Sequence, residues 1–193
     1  MRVAILSCGP SLRSADFGPF DMSIGVNSAV ENFPCDIWCA CDHNVFADCE
    51  PMEPFPWGVW TLGPIRPQFV EMDPKTETMV TRVIPESRYL MLCNARHWDK
   101  RDYEFNGFEG FGNRSPIIWK RFTIISALML AYMIGATKID VYGHDMLGDR
   151  DWKGKPGRRP SDRDAERWRL EREAWDLVVN WIGDRGVQVD RMA

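Results

Sequence analysis

Apolar runs of strand length recur along this chain, and most end on a small or hydrogen-bonding residue. RVAILS (2–7) and MSIGVN (22–27) come first, followed by DIWCACD (36–42), WGVWTL (57–62), YLMLCN (89–94), KIDVYGHD (138–145) and VQVDRM (187–192). Between the later runs lie segments of helical character. One spans roughly 116–135, with Gly135 placed as its C-cap. Another opens at Ser161, an N-cap residue followed by Asp162 and Asp164, and runs to about Ile182. Trp168, Trp175, Val178, Val179 and Ile182 share one face of it, and the i,i+4 pairs Arg167–Glu171 and Arg169–Glu173 are assigned to its wet side. Strands alternating with helices predict an α/β fold. The expectation is one Rossmann-like domain over 1–193, a doubly wound, mainly parallel sheet with helices on both faces. It carries an irregular excursion at 95–116 and a basic lid at 146–160, while residues 63–88, rich in proline and charge, receive no order.

Length and composition fit one core: 193 residues, 45% hydrophobic, with nine tryptophans. The net charge of −4 argues against a nucleic-acid binder that works by bulk electrostatics, though it permits a local basic groove. The uncharged run Phe122–Ala136 falls short of the roughly 20 residues that span a bilayer. The first residues are too short for a signal-peptide core. A cytoplasmic enzyme is therefore expected. Of six cysteines, Cys35, Cys39, Cys41 and Cys49 lie close together near His43, but Cys39 and Cys41 stand two apart on a strand. That spacing disfavours structural zinc and favours reduced core thiols.

In open α/β sheets ligands bind beyond the carboxyl ends of the strands. Here those ends are Gly9-Pro10-Ser11, Asn27-Ser28, Asp42-His43-Asn44 and Gly143-His144-Asp145. Gly9 permits close approach to a phosphate and Ser11 supplies a hydroxyl, while Pro10 removes a donor and fixes the bend. A purely structural β-turn accounts for the same residues. His144 and Asp145 are the first candidates for a general base, with Asp42 and His43 behind them and His97 as a lid residue. Asp42 with Asp145 makes Mg²⁺ possible. In the lid, Lys153, Lys155, Arg158 and Arg159 either neutralise a departing diphosphate or contact a phosphorylated acceptor, nucleic acid included. A merely solvated basic loop is the competing explanation. Tryptophans near 152 and 168 would permit a partner surface, and the oligomeric state stays open.

The stretches VAILSCGPSLRSADF, DMSIGVNSAV, CDIWCACD and TIISALMLAYMIGATKIDVYGHDM, in that order, resemble the bacterial CMP-sialic-acid-dependent sialyltransferases of glycosyltransferase family 42. The same opening is similar to the 6-hydroxymethylpterin pyrophosphokinase-like proteins. The first resemblance implies that Gly9, Pro10 and Ser11 meet the nucleotide phosphate and ribose. It also implies that Asn27, Thr123 and Asp145 face the nucleotide, a site to which Asp42 is assigned as well. The chain departs from that family in having no histidine after His144 and a basic lid without its tyrosines. The expected function is transfer of a sugar from a nucleotide-sugar donor to a soluble hydroxyl acceptor or a nucleic acid. Alternatives are Mg-ATP-dependent pyrophosphate transfer and a non-catalytic nucleotide or nucleic-acid binding module.

Overall fold

The computed structural model describes residues 1–52, 54–61, 66–73, 76–86, 96–97, 122–146 and 165–192. In chain order the strands among them are β1 (Arg2–Leu6), β2 (Met22–Val26), β3 (Ile37–Cys39), β4 (Val59–Thr61), β5 (Gln68–Met72), β6 (Met79–Val83), β7 (Arg96–His97), β8 (Lys138–Tyr142) and β9 (Gln188–Arg191). The helices are α1 (His43–Asp48), α2 (Thr123–Met133) and α3 (Ala165–Gly183), with 3-10 turns at Pro10–Ser14 and Asn27–Glu31. Lys153, Lys155, Arg158 and Arg159, the run 89–94 and most of the 95–116 excursion lie outside the described residues.

One sheet has the order β7-β4-β3-β2-β1-β8-β9, and every pairing in it is parallel. The chain steps outward from β1 on one side and then returns to lay β8 and β9 on the other. Strand order therefore reverses between β1 and β8. Because all strands run the same way, their carboxyl ends share one rim and their amino ends the opposite one. β2 is buried along its whole length, and β1 and β8 everywhere but their first residue. Such central strands of parallel sheets are covered on both faces and read as nearly continuous apolar runs.

The two faces are covered differently. Val3, Ile5, Ile24, Ile139 and Val141 pack against α2 and α3. Ala4, Leu6, Trp38 and Tyr142 meet Leu12 and Val30 from the 3-10 turns and Phe46 from α1. Among the described residues, long helices thus cover one face, and short turns and the short α1, which insert apolar plugs, cover the other. The helix placed at about 116–135 is described as α2, and Gly135 follows it at φ +90° as a helix-ending glycine should. β5 and β6 form a separate antiparallel hairpin that periodicity did not reveal. At the amino rim Arg2 pairs with buried Asp140, and Lys138 reaches Asp190 at 2.9 Å. No described helix is long and apolar enough to cross a membrane.

Candidate functional site

The bend after β1 and the bend after β8 interlock. Gly9 N–H donates to Gly143 O at 2.6 Å, Ser11 N–H to Asp145 Oδ2 at 3.1 Å, and Leu12 N–H to Gly9 O at 3.1 Å. A methyl group on Gly9 would lie 2.1 Å from Asp145 Oδ2 and 2.5 Å from Gly143 O. Gly143 sits at φ +67°, and a side chain there would meet Leu12 Cβ at 2.7 Å. Gly9 is therefore glycine because the Asp145 carboxylate and the facing backbone fill its side-chain space. The amides expected to cradle a phosphate are already bonded within the chain, and Pro10 has none. What the turn still offers is Ser11 Oγ, which is buried and has no hydrogen-bond partner.

Neighbouring strand ends continue this pattern. Asn27, at φ +50°, occupies the left-handed region that asparagine tolerates better than most residues. Its carbonyl accepts from Trp38 Nε1 at 3.0 Å, while its Oδ1 is buried without a partner. Cys8 Sγ donates to Val26 O at 3.0 Å, tying the ends of β1 and β2 together. Beyond β3, Asp42, His43 and Asn44 border an open cleft with Arg66, Gln68 and Phe69. His43 Nε2 accepts from the Arg66 backbone N–H at 3.3 Å, and burial holds the imidazole below its ordinary pKa.

His144 and Asp145 diverge although adjacent. Asp145 turns to the β1 bend, whereas His144 points at α3 and packs its ring on Trp175, centroids 4.6 Å apart. His144 Nδ1 is 3.8 Å from Glu171 Oε1, an electrostatic contact longer than a hydrogen bond. Glu171 also lies 3.3 Å from Arg167. Burial, helped by Arg191 and Arg167, pushes His144 down to about 3. Burial likewise pushes Glu171 up to about 7 against the opposing pull of Arg167. The assignment of Glu171 to the wet side of its helix is thus corrected: it is buried. The signal was present, since Trp168, Glu171, Trp175, Val178 and Ile182 follow alternating steps of three and four. Arg169 and Glu173 do pair on the exposed side.

Thr123 opens α2 at this same rim, and its hydroxyl and that of Ser126 lie against the Cys41 thiol, which burial pushes up to about 12. Burial raises Cys35 and Cys39 as well, so these groups are thiols rather than thiolates. Among the described residues no three His, Cys, Asp or Glu side chains gather as metal ligands. Asp42 and Asp145 follow β3 and β8, with β2 and β1 between them, so the pair suggested for Mg²⁺ does not form one ligand set. His97 lies on the edge strand β7, paired with Thr61. Comparison with protein-family models, with curated proteins and with solved structures returns no match in any of the three.

Proposed function

We propose that this chain is a nucleotide-sugar-dependent transferase with a doubly wound, Rossmann-like sheet whose carboxyl rim binds the donor. The observation that supports this reading is a pair of buried, unpartnered side-chain atoms at neighbouring strand ends of one rim, Ser11 Oγ and Asn27 Oδ1. A buried polar atom without a partner costs about 1–3 kcal/mol, and a ligand that hydrogen-bonds to it recovers that cost. These two atoms follow β1 and β2, on one side of the order reversal between β1 and β8, next to the position where open α/β sheets hold nucleotides.

In this reading Ser11 Oγ and Asn27 hold the donor, with Thr123 at the head of α2 beside them. Asp145, oriented by the Ser11 amide, is the general base. As the acceptor oxygen bonds to the anomeric carbon, its proton passes to Asp145, and the bond to the donor phosphate breaks with its electrons leaving on the phosphate. Lys153, Lys155, Arg158 and Arg159 follow Asp145 closely in sequence and supply positive charge for that leaving group. His144, neutral and packed beneath Trp175, acts through the packing of the β8 end rather than on substrate.

Isothermal calorimetry with CMP, UDP and GDP sugars tests the reading. Binding of at least one donor is expected, weakened about tenfold by Asn27→Ala, the size of one lost hydrogen bond. Absence of heat with every nucleotide at millimolar concentration removes it. Turnover that persists in excess EDTA separates it from a Mg-ATP pyrophosphokinase, which needs carboxylates gathered on one ion.

A further inference from the structure

The cleft beyond β3 is separate from the β1–β8 bend and has its own chemistry. It encloses about 650 Å³, within the range of small-molecule sites. One wall is aromatic: the rings of His43 and Phe69 lie 5.4 Å apart at 43°. The bond from the Arg66 amide to His43 Nε2 fixes that ring's orientation and places its proton on Nδ1. Around this wall stand planar hydrogen-bonding groups, the Asp42 carboxylate, the Asn44 and Gln68 amides and the Arg66 guanidinium. They present donors and acceptors together, the combination that hydroxyl groups satisfy, since each hydroxyl both gives and accepts.

Charge narrows the ligand further. Arg66 offsets Asp42, and Glu71 at the margin is paired with Arg82 at 2.8 Å. A phosphate or a free carboxylate would meet two carboxylates and gain little, and a cation would meet the guanidinium. Asn44 lines the cleft and its Oδ1 is buried without a hydrogen-bond partner, so an unsatisfied polar group stands in the wall. We infer that this cleft is the acceptor subsite and that it takes a neutral, polyhydroxylated ligand, a pyranoside whose C–H face lies on His43 and Phe69. The assignment as acceptor rests on the transferase reading above. Two strand spacings, about 10 Å, separate the end of β3 from the end of β1, which sets such a ligand alongside the donor on one rim.

Saturation-transfer NMR on the full chain, without nucleotide, is the test. The probes are the methyl glycosides of glucose, galactose and mannose, with methyl glucuronide as the anionic control. Transfer to ring methine protons of at least one neutral glycoside is expected, with affinity about tenfold lower in Asn44→Ala and in Gln68→Ala. Thermal melts of both variants establish that they remain folded. Gln68 is exposed, so its variant keeps the test valid should Asn44→Ala destabilise the chain. No transfer from any neutral glycoside, stronger transfer to the glucuronide, or affinities unchanged in folded variants would overturn the inference. Calorimetry with nucleotide sugars separates the two claims. Glycoside binding without nucleotide binding leaves the cleft standing as a sugar site and removes the transferase, whereas nucleotide binding without glycoside binding removes only the cleft.

Discussion

Gly9 has two plausible reasons to be glycine, approach to a phosphate and room for a carboxylate, and the distances distinguish them. Asp145 Oδ2 and Gly143 O stand where a Cβ would go. Gly9→Ala must push the β1 and β8 bends apart, at a cost on the order of 2 kcal/mol typical of overpacking. Urea denaturation should show a lower midpoint at unchanged slope, and a midpoint equal to the parent's would contradict the interlock. Asp145→Ala alone removes one of the two clashing groups, so the pair of substitutions should be less than additive. The glycine was legible in the sequence as a bend at a strand end. Its partner was not, because Asp145 is distant in the chain and nothing local to Gly9 announces a carboxylate. Glu171 is the opposite case, since its place in the helix stripe was readable and its charge concealed it.

Among the elements, α3 meets the end of β8 through two buried titratable groups whose shifts oppose each other. Glu171 has a folded pKa of about 7, raised above its ordinary value, so its contribution is full below the unfolded carboxyl pKa and is lost as pH rises toward 7. His144, depressed to about 3, contributes fully above the unfolded imidazole pKa and loses that contribution as pH falls toward 3. Between roughly pH 4.5 and 6.5, bounded by the unfolded carboxyl and imidazole values, the two slopes have opposite sign and nearly cancel. His43, also held below its ordinary value, leaves the wild type a small residual rise with pH there. Glu171→Gln removes the opposing group, so its stability should climb more steeply with pH. His144→Asn removes the larger imidazole contribution, so its stability should turn toward falling, each difference from wild type being up to about 1.4 kcal/mol per pH unit. Parallel profiles in all three proteins would contradict the assignment. The β5–β6 hairpin shows why other elements escaped sequence reading. Its outward residues Val70, Met72, Met79 and Val83 are apolar and exposed, while Glu71 and Arg82 turn inward and pair. A period-two pattern with inverted polarity resembles no half-buried strand. Met72→Gln should therefore change stability by less than about 0.5 kcal/mol, whereas Arg82→Met, which removes the guanidinium bonded to both Glu71 and Asp48, should lower the urea midpoint.

At the scale of the molecule, a parallel sheet gives its two rims different work, and the strands that make this possible were the legible part of the fold. β1, β2 and β8 are buried on both faces, so their sequences read as apolar runs whatever surrounds them. Their neighbours' order in space depends on long-range pairing, which no local pattern carries. The charges of the amino rim are paired, Arg2 with Asp140 and Lys138 with Asp190, although Asp140 Oδ1 is itself buried without a hydrogen bond. The carboxyl rim combines unpartnered polar atoms with left-handed backbone at Asn27 and Met146. Other buried polar atoms, Asp140 Oδ1 and Ser126 Oγ among them, also lack hydrogen-bond partners. On the proposed reading it is therefore the coincidence of left-handed backbone and an unpaired oxygen at Asn27 that trades stability for binding. Asn27→Gly tests this directly, because glycine relieves the positive φ and removes the orphaned oxygen together. Stability should rise by about 1 kcal/mol, reduced somewhat by the greater freedom of glycine in the unfolded chain, while donor binding weakens. Asp140→Asn, at the far rim, should show the reverse, a lower urea midpoint with calorimetric binding unchanged. If Asn27→Gly proved destabilising and Asp140→Asn weakened binding, the division of labour between the rims would be wrong, and the orphaned atoms would belong to packing rather than to a ligand.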